Sequence, residues 1–171
     1  MMDRNGWGNG RAQRVAAGWL GDGQAERRMT EWISRAATDT TAIGIRVPAD
    51  LGQLTMLRAL AETVALIADF ALDEVTDIRV ALDEVATSLI IAAVPGSAID
   101  CDFDYDRERM RVRVCAVTVD ADTFDEGGFG WHVLETLTET IEAHRGTFDD
   151  KTGGYPTTVE FSRLRGEADV G

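Results

Sequence analysis

Apolar and polar positions follow two periods along this chain, and each change of period marks a new element. Ile43, Ile45 and Val47 alternate with Gly44 and Arg46, the two-residue repeat of a half-buried strand, which Pro48 ends. After Asp50, read as a helix cap, Leu54, Leu57, Leu60, Val64 and Ile67 recur at helical spacing to about Phe70. Ala71-Leu72-Asp73-Glu74-Val75 repeats the pentapeptide at 81–85 and reads as a short connector with a second helix cap, not as a structural repeat. A central helix is then expected from about Thr76 to Val94, with Ile78, Leu82, Val85, Leu89 and Ala92 as its apolar stripe and Pro95-Gly96 as its stop.

Two alternating runs follow. Ile99, Cys101, Phe103 and Tyr105 alternate with Asp100, Asp102, Asp104 and Asp106; Met110, Val112, Val114 and Ala116 alternate with Arg109, Arg111 and Arg113. A row of aspartates alone would suggest a cation site. The neighbouring row of arginines answers it: a tight hairpin sets acids against bases on the solvent face. Any such register puts Cys101 in the core and Cys115 on the opposite face, so the two do not form a disulfide.

Beyond Val119 the chain passes Asp120, Asp122 and Asp125 to the glycine-rich turn Gly127-Gly128-Phe129-Gly130. A helix Trp131–Ala143 carries Leu134, Leu137 and Ile141, and two last strands lie near Arg145–Asp149 and Thr157–Leu164. The order strand, helix, helix, strand, strand, helix, strand, strand predicts an α/β (α+β) two-layer sandwich. Its sheet is mixed, mostly antiparallel, and covered on one face by helices.

Candidate chemistry gathers at two places. On the central helix, Glu84 and Ser88 are four residues apart and share a stripe distinct from the apolar one. A carboxylate at the edge of an apolar stripe can act as a base, although spacing alone more often describes a solvated helix face. At the glycine turn, free N–H groups at a helix start favour anions, phosphates especially. His132 and His144 are twelve apart with no clustered ligand partner, Trp131 reads as core, and Lys151-Thr152 lacks the glycine spacing of a phosphate loop.

Composition narrows the classes. The 171 residues suit one globular domain, with 44% apolar and 27% charged residues, and no apolar run approaches a membrane span. No secretory pattern opens the chain, so a cytoplasmic location is expected. Residues 1–40 carry six arginines against five acids, whereas the other 131 carry 11 basic against 25 acidic groups, within a net charge of −13. That balance argues against nucleic acid and is compatible with a basic protein partner. The first 40 residues, rich in glycine, read as a disordered extension, residues 41–166 as the domain and 167–171 as a tail.

Asp77-Ile78-Arg79-Val80-Ala81-Leu82-Asp83-Glu84-Val85 and Phe129-Gly130-Trp131-His132-Val133-Leu134, in this order around a strand hairpin, resemble the ATP-binding domain shared by gyrase, histidine kinases and anti-sigma factors. Within that superfamily the chain looks most like the anti-sigma-factor serine kinases of actinobacterial stress and sporulation switches, over about Ile43 to Arg165. The resemblance implies a histidine-kinase-like ATPase fold, a homodimer, a sigma factor and a STAS-domain anti-anti-sigma protein as partners, and ATP with Mg²⁺ as cofactors. It makes Glu84 the catalytic base. It puts Ser88 at the position of the metal-holding asparagine, and matches Gly128 and Gly130 to the second glycine box.

Three departures accompany it. Ser88 is shorter than an asparagine and a poorer metal ligand. Where the family has an aspartate-glycine box that binds the adenine amino group, this chain has Ala116, Val117 and Thr118, and Asp120 is the nearest acid. About eight residues separate Val119 from Gly128, where the family inserts a longer lid. The expectation is an anti-sigma factor that sequesters a stress- or sporulation-type sigma factor, with a degenerate ATP site. The alternative is an active Mg-ATP-dependent serine kinase acting on its STAS antagonist.

Overall fold

A computed structural model describes residues 40–122 and 128–166. The reading of residues 1–40 as a disordered extension, but for Thr40, and that of 167–171 as a tail lie outside these. In chain order the elements are β1 (Thr41–Pro48), a 3₁₀ turn (Leu51–Gln53), α1 (Leu54–Ile67), α2 (Leu72–Ala92), β2 (Ala98–Tyr105), β3 (Arg109–Thr118), α3 (Phe129–Leu137), β4 (Thr140–Arg145) and β5 (Tyr155–Leu164). The strands form one sheet in the order β1-β2-β3-β5-β4. Every pairing in it is antiparallel, where a mixed, mostly antiparallel sheet was expected.

One face of the sheet packs against the helices. Strand parity brings Ile45, Cys101, Val114 and Val159 into one row, and Ile43, Phe103, Val112, Phe161 and Ile141 into the next. Onto these rows α1 presents Leu57, Ala61 and Val64, while α2 presents Ile78, Leu82, Val85 and Leu89, each essentially without exposure. Complete burial of each large apolar side chain stabilises the fold by about 1.5–3 kcal/mol, so this stripe outweighs the polar positions beside it. Among the described residues no helix is long and apolar enough to cross a membrane.

The opposite face carries the charged rows. Asp102 stands across from Arg113 and Asp104 across from Arg111, the register expected of the hairpin. The ion pairs run further than one hairpin: Arg46 reaches Asp100 at 2.9 Å and Arg113 reaches Glu160 at 2.9 Å, so charge alternates across four strands. Asp104 departs from a solvated position, being only 7% exposed. At the hairpin turn Asp106 accepts from the N–H groups of Glu108 (2.8 Å) and Arg109 (2.9 Å). Those bonds, the first above all, hold its carboxyl below the usual range despite partial desolvation. The contribution is therefore present above that range and is lost as pH falls through the lowered value.

Two expected boundaries move. The connector at 71–75 is the first turn of α2, because Glu74 reaches back to accept from the Ala71 N–H at 2.8 Å and seals the helix start. The same carboxylate, buried, accepts from the N–H of Gly166 and fastens the end of β5 to this turn. The helix expected to reach Ala143 stops at Leu137, where Thr138 turns its hydroxyl onto the Leu134 carbonyl at 2.7 Å. Thr140 to Arg145 then form β4, with Ile141 opposite Phe161, so the last strand pair begins earlier than expected. Ile141 satisfied the helical spacing by coincidence; the alternation Ile141, Glu142, Ala143, His144 carries the true period.

Cys101 is fully buried on the core face and Cys115 half-buried on the other, neither of them in a disulfide. Burial, then the neighbouring Asp102, pushes the Cys101 thiol well above its ordinary value. The folded protein treated with iodoacetamide near pH 8 is therefore expected to be alkylated at Cys115 and to react at Cys101 only after denaturation. Peptide mass mapping checks this, and native labelling of Cys101 would contradict the register.

Candidate functional site

The position of the site follows from how α2 ends. Val94 donates its N–H to the Val117 carbonyl at 2.8 Å, and Val119 donates to the Ala92 carbonyl at 2.8 Å. Ala93 and Thr118 thus form an antiparallel bridge that fixes the exit of α2 against the end of β3. Gly154 completes this corner: a Cβ there would meet the Thr118 carbonyl at 2.5 Å and Val94 Cγ2 at 2.7 Å, so only glycine fits without movement.

Along α2 the charged side chains divide by role. Arg58 on α1 grips Asp83 through Nε at 2.7 Å and Nη2 at 2.6 Å. Arg163 on β5 reaches Asp77 at 3.1 Å. Both pairs join α2 to neighbouring elements. Glu84 makes no such bond among the described residues; it is exposed and its Oε1 lies against Gly130, in the space a Cβ would occupy. Gly130 is the second residue of α3, whose cap Gly128 is extended (φ −80°, ψ 163°) and supplies no side-chain bond.

Glu84 and Gly130 are thereby brought together from elements far apart in sequence, with Gly128 two residues before as the cap of α3. Ser88 follows one turn along α2 and is half-buried. Asp120 lies past the end of β3, exposed, at the corner where α2 exits.

Thr118 occupies the core-facing end of β3 and is fully buried. Its hydroxyl lies 2.9 Å from the Asp120 carbonyl and 2.9 Å from the Thr157 hydroxyl on β5. Each hydroxyl has one proton and either can donate to the other, with the carbonyls of Asp120 (2.9 Å from Thr118) and Tyr155 (3.2 Å from Thr157) as further acceptors. The pair is closed within the protein. Sequence reasoning passed over Thr157, although the parity that puts Val159 and Phe161 in the core also puts Thr157 there. His132 and His144 are exposed beside Glu135 (3.1 Å) and Glu142 (3.3 Å), away from any shared centre.

A five-stranded antiparallel sheet with three helices on one face, a long helix bearing Glu84, and a glycine-opened helix against that glutamate define a domain of the histidine-kinase-like ATPase fold. Solved structures with this architecture include the RsbU and RsbW domains of Rv1364c from Mycobacterium tuberculosis, at TM-score 0.54 and 17% identity over 75% of this chain and 34% of that one. The SiaB–SiaC complex from Pseudomonas aeruginosa gives TM-score 0.58 and 8% identity over 80% and 96%. No protein-family profile matches the chain. The anti-sigma-F factor RsbW of Mycobacterium tuberculosis is 33% identical to it over 113 residues, 66% of this chain and 67% of that protein. The chain belongs to the RsbW anti-sigma-factor family.

The contact between Glu84 and Gly130 yields a test. A methyl at position 130 meets only the tip of a flexible, exposed carboxylate, while alanine gains about 1 kcal/mol of helix propensity over glycine. Gly130→Ala is expected to fold with unchanged or slightly raised stability and to displace Glu84. Thermal melting checks the first part, and a double-mutant cycle with Glu84→Ala, in which the coupling vanishes, checks the second.

Proposed function

We propose that this chain is an anti-sigma factor that binds and sequesters an alternative sigma factor of the stress or sporulation type. A STAS-type anti-anti-sigma protein releases it by competing for the same subunit, and the working form is a cytoplasmic homodimer. The observation that carries the binding role is the relationship to RsbW, which is named an anti-sigma-F factor. The acidic balance of residues 41–171 supports a basic partner through complementary charge.

We also propose that the nucleotide site is degenerate. Recognition of adenine through its amino group calls for an acceptor facing the base, and a carboxylate is the strongest one available. The core-facing end of β3 offers Thr118, fully buried and already bonded to Thr157 and to the Asp120 carbonyl. The residues at the adenine end therefore do not fit ATP well, and Ser88 replaces an amide with a shorter ligand at the metal position. Asp120 is exposed beyond the strand and does not take the buried acceptor position.

One observation favours a second reading, an Mg-ATP-dependent serine kinase. Glu84 has no bonding partner among the described residues and lies against the glycine-opened start of α3, where a base near a phosphate would stand. Incubation with labelled ATP, Mg²⁺ and the STAS partner separates the two. The binding reading expects no transfer and an ATP dissociation constant weaker than about 1 mM, or less than about 4 kcal/mol of affinity. Label transfer that disappears in Glu84→Ala would establish the kinase instead. In parallel, the tagged chain is expected to retain a sigma factor from its host, and its failure to do so would remove the anti-sigma role.

A further inference from the structure

Helix α1 is apolar on two sides. Leu54, Leu57, Ala61, Val64 and Ala65 are buried, while Met56, Ala59, Thr63, Leu66 and Ile67 are all exposed. At 3.6 residues per turn those five exposed positions fall within about 100° of arc, so they form one face of one helix. Met56 is 42% exposed, Leu66 48% and Ile67 64%. Thr63 donates its hydroxyl to the Ala59 carbonyl at 2.7 Å, which uses its one proton within the helix. The two ionisable residues of α1, Arg58 and Glu62, lie off this face, and Arg58 is held by Asp83. A surface helix ordinarily turns charged groups outward; an uncharged outer stripe belongs to a helix covered on both sides.

Charge and order select the occupant. The chain has a net charge of −13, and beyond residue 40 it carries 25 acidic to 11 basic groups. Two copies therefore repel wherever their carboxylates meet, and this face presents none. A basic partner gains nothing from an uncharged face, and an anionic lipid surface is repelled by the chain as a whole. Along the axis the face runs large, small, small, large as Met56, Ala59, Thr63 and Leu66, spaced evenly about Ala61. Reversed, the order is the same. A second copy laid antiparallel across a two-fold axis at Ala61 sets Met56 against Leu66 of the other copy, and Ala59 against its Thr63, each contact made twice. The small pair in the middle lets the two helices approach closely.

We infer that the outer face of α1 is the dimer surface, formed by antiparallel packing of α1 against α1 of a second copy. The inference rests on the homodimer proposed above and names the surface that forms it.

The test uses the full chain. Sedimentation equilibrium is expected to give a dimer for the wild type. Ala59→Arg with Thr63→Arg takes the net charge from −13 to −11, which lowers the general repulsion between copies. It is nevertheless expected to raise the dimer dissociation constant at least about a hundredfold, because four arginines then meet at the axis. Ile91→Arg, at an exposed apolar position on α2, is expected to leave the dimer intact. Circular dichroism confirms that the variants fold. Register is read by oxidative cross-linking in a Cys115→Ser background. Met56→Cys chains mixed with Leu66→Cys chains are expected to form disulfide-linked dimers. Met56→Cys chains alone are not, since their thiols lie about 15 Å apart along the axis. A dimer unmoved by the two arginines, or Met56→Cys chains that link to one another as readily as to Leu66→Cys chains, would overturn the inference. So would a two-arginine variant that stays dimeric and loses sigma-factor retention, since the sigma factor would then be the occupant. A wild type that stays monomeric at every concentration refutes the homodimer itself, whereas a dimer unmoved by the arginines refutes this face alone.

Discussion

The short backbone pairing between the exit of α2 and the end of β3 is the constraint on which the rest depends. Two N–H···O bonds at 2.8 Å, Val94 to Val117 and Val119 to Ala92, fix where the long helix stops relative to the sheet. The apolar stripe of α2 fixes its rotation, because Ile78, Leu82, Val85 and Leu89 must face the core. With axis, rotation and end all set, Glu84 has one place to go. That place is the start of α3, and Gly130 leaves it the room. Site geometry here is a consequence of core packing and one bridge, with no bond made by Glu84 itself among the described residues.

The same economy explains how polar groups are divided. Asp77 and Asp83, close in sequence to Glu84, are engaged with Arg163 and Arg58 and bind elements together. Thr118 and Thr157, buried at the ends of β3 and β5, satisfy each other and a backbone carbonyl. A buried hydroxyl pair that is fully bonded costs little, whereas a buried carboxylate without a ligand would carry a penalty of several kcal/mol.

Much of this was legible in the sequence. Alternating residues placed β2 and β3 and assigned Cys101 and Cys115 to opposite faces, because a period of two leaves no other choice. The stripe of α2 and the pairing of Glu84 with Ser88 were equally readable. One boundary was not. Ile141 fits both a helical and a strand period, and only the threonines at 136, 138 and 140, which shorten the helix, tip the balance. The burial of Thr118 was also readable, because the parity of Val112, Val114 and Ala116 continues to it, but its own polar side chain does not mark it.

The proposed anti-sigma role and the proposed loss of nucleotide binding stand or fall separately. Their most direct test is calorimetric titration of the cognate sigma factor into the full chain, with and without Mg-ATP. The account predicts binding of the same affinity and stoichiometry under both conditions, with no heat from ATP alone. Binding that requires Mg-ATP, or a saturable heat on adding the nucleotide, would contradict it.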